Sequence, residues 1–177
     1  MNNMQKKISS KQVYEGTIFH MTRDEVEIKG SIYPRDVIHH DGGVGVLAIK
    51  DGKILLVKQY RYAIQKETLE VPAGKLEKGE DPYLCGLREL EEESGYTSEK
   101  LETLCSMYST PGFCSEKIYL YWTKKLQPVK HPRPMDEDEE IETLWVDIRK
   151  AAAMVNDGTI ADAKTIIAVQ YANLYLI

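Results

Sequence analysis

The chain has 177 residues, with 23 Lys+Arg against 28 Asp+Glu and a formal net charge of −5 at pH 7. Hydrophobic residues make up 42% and charged residues 29%, the balance of an ordinary globular protein, which excludes a disordered or fibrous chain. The length suits a single domain able to bury its own core, no apolar run nears the roughly 20 residues of a membrane span, and net acidity argues against nucleic-acid binding.

Residues 1–10 (MNNMQKKISS) are polar, lack the apolar stretch of a secretory leader and read as a mobile terminus. Cys85, Cys105 and Cys114 are odd in number and lack metal-ligand spacing, so free thiols in a reducing, cytoplasmic setting are expected. Residues 13–38 read as short strands, with 24–29 (DEVEIK) alternating polar and apolar. The apolar runs 44–49 (VGVLAI) and 54–57 (ILLV) flank Asp51-Gly52, a strong hairpin signal. A short strand over 69–71 ends at Pro72-Ala73-Gly74.

A helix is expected over 82–94. Asp81 can cap it, Pro82 suits its first position and Gly95 suits its exit. Strands follow over 101–107 and 117–125, separated by a loop holding Pro111-Gly112. Residues 129–140 form a Pro-rich and acid-rich loop before a last strand over 141–146. Helices over 149–156 and 161–176 close the chain. The order predicts an α+β fold, an α/β/α sandwich of one domain.

The acidity concentrates on the helix over 82–94. On a helical wheel Tyr83, Leu87, Leu90 and Ser94 share the side that would face a core, while Glu89, Glu92 and Glu93 share another. Their spacings make the three carboxylates neighbours, which costs about 0.2–0.5 kcal/mol per pair on an exposed helix. They also lie toward the C-terminal end, the wrong end of the helix dipole for anions. A Glu-rich run is ordinarily a solvated face, with Arg88 pairing to Glu92. A bound divalent cation would resolve the same conflict, because hard cations take oxygen ligands.

A resemblance carried by the whole pattern favours the cation. Gly74, Glu80, Arg88-Glu89, Leu90, Glu92-Glu93 and Gly95 stand in a register that resembles the Nudix box of the Nudix hydrolases, with Tyr96 departing from the usual aliphatic last position. The resemblance implies a Nudix fold preceded by an N-terminal antiparallel strand region (1–42), with the hydrolase domain over 43–177. It implies that Glu89, Glu93 and the backbone carbonyl of Ala73 hold Mg²⁺, or Mn²⁺ in its place, with Glu92 close by as an additional ligand or catalytic carboxylate. Arg88 would orient a carboxylate, Glu80 would buttress the loop, and Gly74 and Gly95 would shape the motif.

Features outside the box are similar to the ADP-ribose pyrophosphatase group. They are the lead-in Leu69-Glu70-Val71-Pro72-Ala73-Gly74, Pro111 sixteen residues after Gly95, Pro111-Gly112-Phe113 with Glu116, Gln59-Tyr60-Arg61, Arg35-Asp36, and Asp162-Ala163-Lys164-Thr165. By that resemblance Arg35, Asp36, Arg61, Pro111 and Glu116 contact substrate. Within the acidic run 136–140 Glu137 maps to the general base and Glu139 to a further metal ligand. The implied activity is Mg²⁺-dependent hydrolysis of ADP-ribose to AMP and ribose 5-phosphate by a homodimer that exchanges its N-terminal strands. Two other readings stand beside it: a Nudix pyrophosphatase for a sugar nucleotide or dinucleoside polyphosphate, and a non-catalytic ligand-sensing Nudix protein. Intact box carboxylates disfavour the last.

Overall fold

A computed structural model describes residues 5–135 and 140–176. The described residues fall into two compact units, one running to Gly42 and including Met107–Lys117, the other comprising Gly43–Ser106 and residues 118–176.

In the first unit, β1 (Lys6–Glu15), β2 (Phe19–Ile28) and β3 (Ser31–His40) form an antiparallel sheet in the order β1-β2-β3. Lys29 and Gly30, with φ of 51° and 81°, turn β2 into β3 so that Ile28 pairs Ser31. Positive φ at both central residues matches the twist of a two-residue hairpin. β1 corrects the expected mobile terminus, because residues 6–10 belong to a strand. Its backbone is held by the ladder to β2, and the Ser9 hydroxyl donates to Glu25 (2.9 Å). The Ser10 hydroxyl donates to Asp24, which is only 7% exposed. Every β1 residue is exposed, so no apolar alternation marked it. The segment 110–115 docks on β3, with Ile38 N–H donating to Phe113 O (2.8 Å) and Ser115 N–H to Ile38 O (2.9 Å).

The second unit carries β4 (Gly43–Lys50), β5 (Lys53–Arg61), β6 (Lys66–Glu70), β7 (Ala73–Lys75), α1 (Pro82–Ser94), β8 (Tyr96–Ser98), most of β9 (Glu102–Tyr108) and β10 (Lys117–Thr123), β11 (Leu126–Pro128), β12 (Glu142–Asp147), α2 (Ile148–Asn156) and α3 (Ala163–Tyr175). The principal sheet runs β12-β5-β4-β10-β9, mixed because β4 and β10 are parallel. Asp51 and Gly52 (φ 51° and 71°) turn β4 into β5 as expected, but only Ile49↔Ile54 and Lys50↔Lys53 pair. The strands then part. β6 pairs the end of β5 away from the turn, β7 pairs the end of β4 away from the turn, and Val46 N–H donates to Pro72 O (2.8 Å) between them. The β6–β7 segment is thereby wedged into the sheet.

Alternation along β4 and β5 sends side chains to both faces. Leu47, Ile49, Ile54 and Leu56 pack against Ile148 and Ala151 of α2 and Ala168, Val169 and Ala172 of α3. Val44, Val46, Ala48 and Leu55 pack against Cys85 and Leu90 of α1. Each fully buried aliphatic chain contributes about 1.5–3 kcal/mol. Helices on both faces give the α/β/α sandwich expected. No helix of the described residues is long and apolar enough to cross a membrane.

The bounds of α1 match the sequence reading. Asp81 accepts the N–H groups of Tyr83 (2.9 Å) and Leu84 (3.2 Å), and Gly95 closes the helix at φ 72°. The last helix begins two residues later than expected, where Asp162 caps it by accepting Thr165 N–H (3.0 Å).

Candidate active site

The wedge brings β7 against α1. Glu89 and Glu93, one turn apart, are 8% and 3% exposed, so the acidic side of the helix is turned inward and not toward solvent. Glu93 Oε2 accepts the N–H of Ala73 (2.8 Å). The Glu89 carboxylate fills the space a Cβ at residue 74 would take, which only glycine leaves open. Gly74→Ala is therefore expected to displace Glu89, a flexible side chain. The fold should survive while turnover falls by about 10²-fold or more. A thermal melt beside steady-state kinetics checks this, and full activity in G74A would refute the cradle.

Arg88 is the hub of the acidic cluster. Its Nε and Nη2 donate to the Glu80 oxygens (3.0 and 3.1 Å), and its Nη1 pairs Glu89 (2.7 Å) and Glu92 (2.9 Å). Nη2 also reaches Lys75 O (3.4 Å) and Cys85 Sγ (3.3 Å). Glu80 in turn accepts Glu77 N–H (3.0 Å), closing the loop before α1. Much of the repulsion expected from the sequence is thus answered by one guanidinium shared among three carboxylates. The Arg88 hydrogen bonds hold the Glu80 carboxyl down to about 2. Arg88 itself is pushed up, chiefly by Glu80. Burial raises the Cys85 thiol to about 12.

Arg61 at the end of β5 donates from Nε and Nη2 to both oxygens of Glu70 (2.8 Å each). Burial raises the Glu70 carboxyl, but Arg61 and Lys164 outweigh it and hold the group at about 2. Glu70 and Glu80 both lie below the ordinary value of 4.5, so each binds protons less readily folded than unfolded. Their stabilisation is complete above pH 4.5 and is lost as pH falls toward 2. Denaturation followed from pH 6 to pH 2 should show stability falling through that window, and Glu70→Gln should flatten the fall.

The other expected contacts lie in the first unit. Arg35 and Asp36 are neighbours on β3 but point to opposite faces. Arg35 donates to Pro34 O (2.9 Å), while Asp36 pairs with Arg23 (2.8 Å). Pro111 sits in a turn where Cys114 N–H donates to Thr110 O (3.1 Å). Glu116 lies 3.8 Å from His40 Nε2. Glu137 and Glu139 lie outside the described residues. The segment leading to them is tied to α1, for Val129 N–H donates to Gly95 O (2.9 Å) and Arg133 N–H to Glu91 Oε1 (3.1 Å).

The sequence reading assigned no role to Glu70, Lys164 or Glu91. A signal for Glu70 was present, an acid flanked by the apolar Leu69 and Val71. Lys164 and Glu91 gave none, because their partners are remote in sequence.

Among the described residues no three His, Cys, Asp or Glu side chains gather closely enough to enclose a metal ion alone. Mg²⁺ does not require this, since it keeps waters and substrate phosphates beside one or two carboxylates. Two buried carboxylates beside the Ala73–Gly74 backbone, with Glu92 near, are a hard-oxygen donor set of that kind.

Comparison with known proteins adds four likenesses. Residues 39–168 match the family model described as the NUDIX domain. Over 172 residues the chain is 40% identical to the ADP-ribose pyrophosphatase of Bacillus subtilis (strain 168), covering 96% of this chain and 93% of that one. It is 41% identical over 172 residues, with the same coverage, to the methanol dehydrogenase activator of Bacillus methanolicus. The crystal structure of an ADP compounds hydrolase shares the fold, with a TM-score of 0.85 over 97% of this chain and 94% of that chain at 19% identity.

Proposed function

The chain belongs to the Nudix family, and from that premise we propose that it hydrolyses the pyrophosphate bond of ADP-ribose, giving AMP and ribose 5-phosphate. The observation that carries the reading is the pair of buried carboxylates, Glu89 and Glu93, set against the backbone of Ala73 and Gly74. The kinship to the Bacillus subtilis ADP-ribose pyrophosphatase over almost the whole chain supports the substrate.

Glu89, Glu93 and the carbonyl of Ala73 would hold a divalent cation, Mg²⁺ or the similar Mn²⁺, with Glu92 beside them and Glu139 as a further ligand. When bound, the ion offsets the negative charge of the pyrophosphate and lowers the pKa of a nearby water. Arg88 holds Glu89 and Glu92 in place, and Glu80 buttresses the loop before α1. Arg61 binds a substrate phosphate by a forked contact. Glu137 accepts a proton from the attacking water. The water oxygen bonds to one phosphorus, and the bridging P–O bond breaks to release the other phosphate.

Residues 1–42 form the dimerisation and substrate-site region of a cytoplasmic homodimer, and Arg35 and Asp36 from it, with Pro111 and Glu116, meet the ligand. Exposed Ile8, Tyr14, Ile32 and Tyr33 (45–59%) on β1 and β3 support a partner-covered sheet. The test is kcat/KM across ADP-ribose, a GDP-sugar and a dinucleoside polyphosphate. ADP-ribose should lead by about tenfold or more, a margin of about 1.4 kcal/mol. A GDP-sugar or dinucleoside polyphosphate in first place would replace the substrate assignment.

A further inference from the structure

Glu70 is 2% exposed, yet it carries four donor contacts. Arg61 supplies two at 2.8 Å, the Thr68 hydroxyl donates to Oε1 (2.6 Å), and Lys164 from the start of α3 donates to Oε2. Lys164 also meets Asp162 (3.1 Å). Arg61, Lys164, Glu70 and Asp162 are two cations and two anions, neutral as a set. The set is nevertheless oriented, since the Glu70 side chain is 3% exposed and that of Arg61 43%. Glu70 engages only the Nε–Nη2 edge of the guanidinium, so the Nη1 edge is turned away from the carboxylate. Arg61 also lies close enough to Glu93 of the box helix for the Glu93 charge to act on it.

We propose that Glu70 is a positioning residue, which fixes the Arg61 guanidinium by one edge so that the other edge meets a substrate phosphate, with Lys164 and Thr68 fixing Glu70 in turn. The inference rests on the pyrophosphatase reading above and deepens it. A guanidinium locked on one edge loses little rotamer freedom when it binds phosphate, whereas a free Arg side chain must be ordered. An acid chosen only to neutralise Arg61 could sit exposed beside it. A buried acid with three separate donors sets a direction.

The test is a double-mutant cycle on the full-length protein with ADP-ribose and saturating Mg²⁺, with thermal melts to report folding. Arg61→Ala is expected to raise KM about tenfold, and Glu70→Gln by a similar factor, each with kcat within about threefold of wild type. The double variant should match Arg61→Ala within about twofold, because Glu70 acts through Arg61. Glu70→Asp keeps the charge and retracts the carboxylate by one methylene. It should raise KM about threefold, an increase absent in the Arg61→Ala background, so the same cycle stands if Glu70→Gln fails to fold. Losses that multiply in the double variant, or Glu70 variants with normal KM, would overturn the positioning role alone. A normal KM in Arg61→Ala would remove Arg61 from the substrate and the proposal with it. No AMP release from the wild type would remove the pyrophosphatase reading itself.

Discussion

Glu93→Gln is expected to lower kcat for ADP-ribose by about 10³-fold while leaving the melting temperature close to wild type. The substitution keeps the volume and an oxygen to accept the Ala73 N–H, so the local hydrogen bond survives. What it removes is one negative charge from a side chain 3% exposed, in a setting where charge interacts strongly. If Glu93 holds the cation, apparent Mg²⁺ affinity falls together with kcat. Steady-state kinetics over a Mg²⁺ titration reads both. Unchanged turnover would move the metal from α1.

Arg88→Met has the second large effect, and its first target is stability. The side chain is 20% exposed and serves Glu80, Glu89 and Glu92, themselves 10–19% exposed. Methionine keeps much of the packing and abandons three carboxylates. Removing one partner of a buried pair costs about 3–5 kcal/mol, and partial exposure places this case nearer 2–4 kcal/mol. For a domain this size the melting temperature should fall by about 5–15 °C. Saturating Mg²⁺ should recover part of that loss and stabilise the variant more than the wild type, since the cation then meets carboxylates without their guanidinium. A melting temperature within about 2 °C of wild type would show that the hub carries little.

Local chemistry made α1 and the β4–β5 hairpin legible. Asp81, Pro82 and Gly95 mark the helix ends, and Asp51-Gly52 marks the turn, because capping and positive φ depend on single residues. The first half of β1 was not legible, since Lys6–Glu15 buries no side chain and is held by main-chain pairing with β2. The helical wheel grouped Glu89, Glu92 and Glu93 but could not say that Glu89 and Glu93 face β7, which depends on the wedge between β4 and β5. Spacing offered Arg88 only Glu92 as a partner. Glu80, eight residues back, comes within reach because the loop at 77–80 folds onto the helix. Glu70 is more remote still, nine residues from Arg61 and 94 from Lys164. Charge networks of that range are set by topology, not by periodicity.

On the reading proposed above, the carboxylates on α1 hold a divalent cation for cleavage of a pyrophosphate. The most direct measurement is product identification from ADP-ribose by the purified protein, with Mg²⁺ and after chelation, in ¹⁸O-labelled water. AMP and ribose 5-phosphate are expected in equal amounts, one of them carrying the label on its phosphate, with no product once the cation is removed. Release of ADP and free ribose, or undiminished turnover after chelation, would contradict it.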